Sequence, residues 1–363
     1  MVITFIAMVK ARPGGGAKAI YEFANAMRRR GHSVHVMHLS KDRVEGLDDL
    51  EWIRFEEGME HIFPGKHRTP YGSVSLIGNG GQSVDANPFV DLTDALPQGD
   101  FINHYDDQNP VRHGLPFVFV QGYRTFSPSI EDALFRAPCP KICVASWLVD
   151  VGRQMGVPAD ELVHIPNGLE HEKYRLVSPI EERPPLVSTR YRSHGTARPE
   201  ASLAVLAEVR RRVPEVEATI FSADSPVHET APWMTVVENP PQEFIVHEIY
   251  NRSRIFLCAS RYEGFGFPSI EAMACGAALV TTSNGGSDDY AIHGETALVC
   301  EPDDITAMAD SVERLLHDDQ LRIRLARQGR EYVRQTFDWD ASAEKLEAFL
   351  NEYAADPARY LHR

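Results

Sequence analysis

The chain is short of positive charge. Its 37 Lys and Arg stand against 52 Asp and Glu, a net charge of −15. A nucleic-acid binder needs a basic footprint, so that class is excluded, and broad adhesion to anionic membranes is disfavoured. One basic cluster is Arg28-Arg-Arg30. It closes an expected helix and complements the helix dipole there, although peripheral membrane contact stays open. No run of eighteen apolar residues exists, so no membrane span is expected. The amino terminus lacks a basic leader and reads as a buried strand, not a signal peptide. Cys139, Cys143, Cys258, Cys275 and Cys300 form no metal spacing. They read as buried free thiols of a cytoplasmic protein. Lysine occurs only at 10, 18, 41, 66, 141, 173 and 345, so a long stretch, 174–344, has none.

What is present is an alternation of strands and helices over 363 residues, enough for two domains. In the first half, strands are expected at Val2–Val9, His32–Leu39, Leu115–Gln121 and Lys141–Ser146. A glycine loop, Arg12–Ala17, precedes an amphipathic helix, Ala17–Arg30. The Pro-rich stretch Val177–Pro185 reads as a linker. Beyond it, strands fit Leu186–Thr189, Ala218–Ser222, Thr235–Val237, Ile255–Ala259, Ala278–Thr282 and Ala297–Cys300. Helices fit Pro199–Val213, Gln242–Asn251, Ser269–Ala274, Ile305–His317, Asp319–Gln335 and Ala341–Tyr353. Two such series imply an α/β chain of two doubly wound, Rossmann-like domains, 1–172 and 173–340, facing across a cleft.

The segment Ser260-Arg-Tyr-Glu263-Gly264-Phe265-Gly266-Phe267-Pro268-Ser-Ile-Glu271-Ala-Met-Ala-Cys-Gly276 carries the chemistry. A strand enters a glycine-rich turn, and a helix leaves it with Pro268 as its first residue and Gly276 as its stop. Such a turn lies at the carboxyl edge of a parallel sheet, where α/β folds bind ligands. The helix amino terminus suits a phosphate. Glu263 can accept hydrogen bonds from sugar hydroxyls, and Glu271 can take a ribose diol. Together these describe a nucleotide-sugar site; the bland reading is two surface carboxylates on a solvated turn.

This segment resembles the Glu-x7-Glu motif of retaining glycosyltransferases of family 4, which have the two-domain GT-B fold. The resemblance implies transfer of a sugar from a nucleotide diphosphate-sugar to a hydroxyl acceptor, whether glycan, lipid-linked or small molecule. It implies a donor domain at 173–340 and an acceptor domain at 1–172. It also implies a terminal helix, about 341–363, packing back on the first domain. No essential metal is expected, and no Asp-x-Asp motif stands in a plausible place. The family's glycine-rich loop reaches the donor diphosphate, which maps onto Gly14-Gly15-Gly16. A dehydrogenase fingerprint fails there, because position 19 is Ala and the second strand ends in His38-Leu39-Ser40 where an acidic residue is needed. Asn167-Gly168 resembles a family signature whose role is hinge geometry. Asn284-Gly285-Gly286-Ser-Asp-Asp289 matches a loop that shapes the donor pocket.

One departure stands out. The family carries Arg and then Lys-Gly after the first strand of its second domain. Here Arg190 fits the arginine, but Arg192, His194 and Arg198 are the only nearby replacements for the lysine. Arg198, just before a helix, is the favoured one. On the acceptor side Gln121-Gly122 stands where a histidine is common, which resembles a rhamnosyltransferase-like subgroup. His104 is the other base candidate. Glu263, His104 and Arg190 are the catalytic candidates. Gly15, Gly16, Arg190, Arg198, Gly264–Phe267 and Glu271 are the donor-binding candidates. Two rivals remain: a non-catalytic sugar-nucleotide binding protein and a retaining glycosidase, which would release free sugar from an unactivated glycoside.

Overall fold

The computed structural model describes residues 1–7, 15–38, 55–62, 74–78, 115–124, 128–137, 139–193, 195–222, 227 and 231–360. The chain divides into two compact units, Met1–Gly168 with Trp339–Arg363, and Leu169–Asp338.

In unit 1, strands β1 (Val2–Ala7), β2 (Ser33–His38), β3 (Glu60–Ile62), β4 (Val74–Gly78), β5 (Leu115–Val120), β6 (Lys141–Cys143) and β7 (Leu162–His164) form one sheet. Among the described residues its order is β3-β2-β1-β4-β5-β6-β7, parallel throughout. Helices α1 (Gly15–Arg29), α2 (Pro128–Arg136) and α3 (Ser146–Gln154) accompany it. The structure starts α1 at Gly15, two residues before the expected position. Gly15 and Gly16 are thus a first helical turn, where amides have no intrahelical acceptor and flexibility costs least.

The last helix, α9 (Trp339–Ala355), belongs to this unit. Trp339 meets Phe23 of α1 edge-on at 5.2 Å, and Tyr353 meets Phe117 of β5 at 4.6 Å. The basic cluster supports this packing. Arg29 bridges Glu56 (3.0 Å) and Asp340 (3.1 Å), and Arg30 binds Glu347 at 2.7 Å. Arg29 and Arg30 are therefore ion-paired, not arrayed for an anionic surface.

Gly168 does not need a left-handed φ. It needs room. A Cβ there would lie 2.3 Å from the backbone nitrogen of Trp339 and 2.5 Å from its Cα. Backbone cannot rotate away, so Gly168→Ala is expected to destabilise the protein by about 1–3 kcal/mol. A thermal melt checks this, and an unchanged midpoint would show that the two segments part easily.

In unit 2, β8 (Leu186–Arg190), β9 (Glu217–Ser222), β10 (Met234–Glu238), β11 (Ile255–Cys258), β12 (Ala278–Thr282) and β13 (Ala297–Cys300) form a parallel sheet. Its order is β10-β9-β8-β11-β12-β13. Both faces are covered, which is why the strands read as apolar runs. Helices α4 (Pro199–Arg212), α5 (Gln242–Phe244), α6 (Phe267–Ala274), α7 (Ile305–His317) and α8 (Asp319–Thr336) complete it. Val187, Ile220, Leu257 and Val280 share one core with Leu206, Met308 and Leu325. Asp304 and Asp318 cap α7 and α8, each accepting a backbone N–H at 2.9 Å.

Two expectations change here. Val177–Pro185 is not a linker, because Ile180 (3% exposed) lies in the core and Arg183 (2% exposed) is buried. The unit boundary falls earlier, at Gly168 and Leu169. The helix expected over Gln242–Asn251 is α-helical only for Gln242–Phe244 and continues as a π-helix, Ile245–Tyr250. Cys139, Cys143 and Cys275 are buried free thiols, while Cys258 and Cys300 are half-buried. Burial pushes the Cys139, Cys143 and Cys275 thiols up to about 12, so they are poor nucleophiles.

Candidate active site

The strand order of unit 2 reverses between β8 and β11, and ligands of doubly wound sheets bind at the carboxyl ends of such a pair. A pocket opens at that point, lined by Arg190, Arg192, Ser260, Glu263, Gly266 and Ser269 among others. Arg190 is the last residue of β8, and Glu263 follows β11 by a short loop.

The loop is held from two sides. The Thr196 hydroxyl donates to the Tyr262 carbonyl at 2.7 Å, and the Arg261 amide donates to the Thr196 carbonyl at 2.8 Å. On the other side the Glu263 amide donates to the Asn284 carbonyl (2.9 Å), and the Gly286 amide donates to the Glu263 carbonyl (3.1 Å). The Asn284–Gly286 stretch thus fixes the Glu263 backbone. The Ser260 hydroxyl fixes its carboxylate, donating to Oε1 at 2.7 Å.

Gly266 caps α6 with φ 96°, a left-handed value that favours glycine. A Cβ there would also lie 2.2 Å from the Tyr290 hydroxyl. The helix starts at Phe267, so Pro268 is its second residue, not its first. The Ser269 amide turns back to the Gly266 carbonyl at 3.0 Å, tightening this first turn. Phe265 and Phe267 are buried, 5.2 Å apart, and Phe265 meets Phe337 at 5.3 Å. Their rings belong to the core, and only their backbone is left to serve a ligand. The carboxyl end of α6 closes as a Schellman turn. Gly276 (φ 86°) donates to the Met273 carbonyl at 2.9 Å, and Ala277 donates to the Ala272 carbonyl at 2.9 Å.

Glu271 is 8% exposed on α6. The Tyr250 hydroxyl donates to its Oε2 at 3.1 Å, and the Tyr174 phenol, which accepts from Gln242 Nε2 at 2.9 Å, is close enough to feel the Glu271 charge. Burial first, and then the charge on Glu271, holds both phenols far above their ordinary range, so they stay protonated donors.

The cations sort differently from expectation. Arg198 has a left-handed φ of 47° ahead of α4, and its guanidinium pairs with Glu200 and with Asp303 (3.0 Å). Asp303 also takes Arg261, whose hydrogen bond holds the Asp303 carboxyl below the usual range. Arg192 instead lines the pocket, and its buried Nε meets no hydrogen-bond acceptor among the described residues. His104, Gly14 and His194 lie outside the described residues. Gly15 and Gly16 belong to unit 1, in α1. Among the described residues no group of three or more His, Cys, Asp or Glu could hold a metal ion. No helix there is long and apolar enough to cross a membrane.

Sequence reasoning missed Ser260, although it stands inside the quoted motif. It also missed Tyr174 and Tyr250, which no local signal marks.

Known proteins bear on this geometry. Residues 239–332 match the family described as Glycosyl transferases group 1. The capsular polysaccharide biosynthesis glycosyltransferase CapM of Staphylococcus aureus is 32% identical over 126 residues, 33% of this chain and 33% of its own. N-acetyl-alpha-D-glucosaminyl L-malate synthase of Bacillus anthracis is 32% identical over 111 residues, 31% of this chain and 29% of its own. The matched segments are thus about a third of the curated relatives' length. Solved structures match along nearly the whole chain. Sucrose-phosphate synthase from Thermosynechococcus elongatus superposes with a TM-score of 0.74 at 17% identity, covering 98% of this chain and 99% of that one. Anabaena HepE in complex with UDP and glucose gives 0.72 at 15% identity, covering 97% and 100%. The fold is GT-B.

Proposed function

We propose that this chain is a retaining glycosyltransferase of the family 4 type, moving a hexose from a nucleoside diphosphate-sugar to an acceptor hydroxyl. One observation carries the reading: Arg190, Arg192 and Glu263 line a single pocket where the strand order reverses, with Glu271 buried on the helix that leaves it. Glu271 accepts the ribose diol. Arg190 and Arg192, not Arg198, grip the diphosphate, since Arg198 is already ion-paired. Glu263, oriented by Ser260, takes sugar hydroxyls with the backbone of Gly264–Phe267.

In this reading the bond from the anomeric carbon to the diphosphate oxygen breaks, its electron pair going to the diphosphate. The arginines stabilise the charge that develops, with no metal called for. The acceptor oxygen attacks from the same face, and its proton passes to the departing oxygen. Retention follows from that front-face route. His104 remains the proposed acceptor-side residue, aligning the hydroxyl whose proton goes to the departing oxygen. The likeness to the capsular polysaccharide biosynthesis glycosyltransferase of Staphylococcus aureus favours a polysaccharide or glycoconjugate acceptor.

A thermal-shift screen of UDP, ADP, GDP and their sugars tests this, since a ligand at 100 times its Kd stabilises by about 2.7 kcal/mol. Stabilisation by one base series is expected; none from any of them would overturn the reading. Glu271→Ala should weaken that nucleotide by about 10–100-fold, the worth of a hydrogen bond to a charged group, and should also lower the ligand-free melt, because the buried Tyr250 hydroxyl loses its acceptor.

A further inference from the structure

β8 lies inside the unit 2 sheet, between β9 and β11. A central strand covered on both faces should be apolar throughout. Leu186 and Val187 obey that, but the next two residues, Ser188 and Thr189, carry hydroxyls. Both are buried, Thr189 to 2% exposure. Neither hydroxyl has a hydrogen-bond partner among the described residues. Thr189 stands in register with Ile220 of β9 and Leu257 of β11, which are apolar and fully buried. A hydroxyl in such company is costly unless something supplies a partner. Successive side chains of a strand point to opposite faces, so the two hydroxyls part ways. Of the two, Thr189 lines the pocket.

The same pocket holds a second polar group in that condition. The buried Nε of Arg192 meets no acceptor among the described residues. An arginine Nε–H can only donate, and a hydroxyl can donate as well. Two donors without acceptors in one pocket suit a group that brings acceptors and no protons. The unprotonated oxygens of a phosphoryl group meet that need, whereas a sugar hydroxyl brings a proton of its own. Thr189 is also held in place before any ligand arrives. Its strand is bonded on both sides, and β-branching restricts its χ1. With no lysine in 174–344, a neutral donor of this kind adds to what the arginines supply.

We propose that the Thr189 hydroxyl is a direct ligand of the sugar-bearing phosphoryl group of the donor, a group it shares with Arg192. This rests on the donor-site reading above. Thr189 donates a hydrogen bond and takes no part in bond breaking. The free protein carries the hydroxyl unpaired, and the ligand completes it.

The experiment measures Kd for UDP against UMP, ADP against AMP and GDP against GMP, on the full chain and on Thr189→Val and Thr189→Ser. Valine keeps the branched shape and removes the hydroxyl, while serine keeps the hydroxyl. Ser188→Ala is the control, because its hydroxyl is equally buried but does not line the pocket. For the base that the wild type binds, Thr189→Val should weaken the diphosphate by about 10–100-fold, the worth of a hydrogen bond to a charged group. The monophosphate should change by less than about threefold. Thr189→Ser should keep diphosphate affinity within about threefold of the wild type, and Ser188→Ala should leave both affinities alone. The ligand-free melt of Thr189→Val should rise, since an unpaired buried hydroxyl is gone. A hydroxyl with only a structural role would move the melt and leave both affinities unchanged, which would overturn the proposal while the donor site stood. An equal loss for diphosphate and monophosphate would overturn it too. A wild type that bound no nucleotide would instead overturn the donor-site reading itself. Should Thr189→Val not fold, Thr189→Ala carries the same comparison.

Discussion

Arg190→Ala and Arg192→Ala should each lower turnover by about 10²–10³-fold, the usual cost of removing one donor to a developing anion. The double variant should lose detectable binding of the nucleoside diphosphate that stabilises the wild type. The physical basis is the distribution of guanidinium groups around the pocket. On the proposed reading a leaving diphosphate gathers charge as the sugar departs, and with no lysine in 174–344 arginine is the cation left to meet it. Arg190 ends β8, and Arg192 follows it two residues later, with a buried Nε still lacking an acceptor among the described residues. Burying such a group without a partner is costly unless a ligand supplies one. Arg198→Ala is the matching control. Its guanidinium already serves Glu200 and Asp303, so nucleotide affinity should change little. Measured Kd values decide the matter: a large loss in R198A with none in R192A would return the clamp to Arg198.

Arg183→Met should destabilise unit 2 by about 3 kcal/mol or more, since each buried carbonyl left without a donor costs roughly 1–3 kcal/mol. Arg183 is nearly inaccessible, and burial brings its guanidinium down to about 10. It donates to the carbonyls of Tyr250 (3.2 Å), Ser253 (2.9 Å) and Cys275 (2.6 Å). Those carbonyls end the π-helix and α6, the two elements that carry Tyr250 and Glu271. Loss of Arg183 should therefore weaken nucleotide binding as well as stability. The exposed Arg327–Glu181 pair gives the comparison, since Arg327→Met should change neither. Chemical denaturation of both variants reads the difference. An Arg183 variant as stable as the wild type would mean that other donors or water satisfy the carbonyls.

Much of unit 2 was legible because its signals are local. The strand ending at Cys258, the glycine turn and the stop at Gly276 are written in consecutive residues. β12 and β13 have the bounds their apolar runs suggest, since a strand covered on both faces leaves no ambiguity of face. Charged and proline-rich composition misled at Val177–Pro185, because it reports average exposure and not what one arginine can satisfy. The segment is tied down by Arg183 and Ile180. The helix expected at Gln242–Asn251 was right in place but not in kind, since α and π patterns differ by one residue per turn over a single short segment.

By itself the sequence determined the two series of strands and helices, the strand–turn–helix frame of Glu263 and Glu271, and the absence of a clamp lysine. All of these rest on neighbours along the chain. The tertiary structure alone decided that Arg192 lines the pocket with an Nε that meets no acceptor among the described residues, and that Gly168 is needed for the passage of Trp339. It alone brought the Tyr250 hydroxyl onto Glu271. Those outcomes depend on distances between residues far apart in sequence, and only the folded sheet order sets such distances.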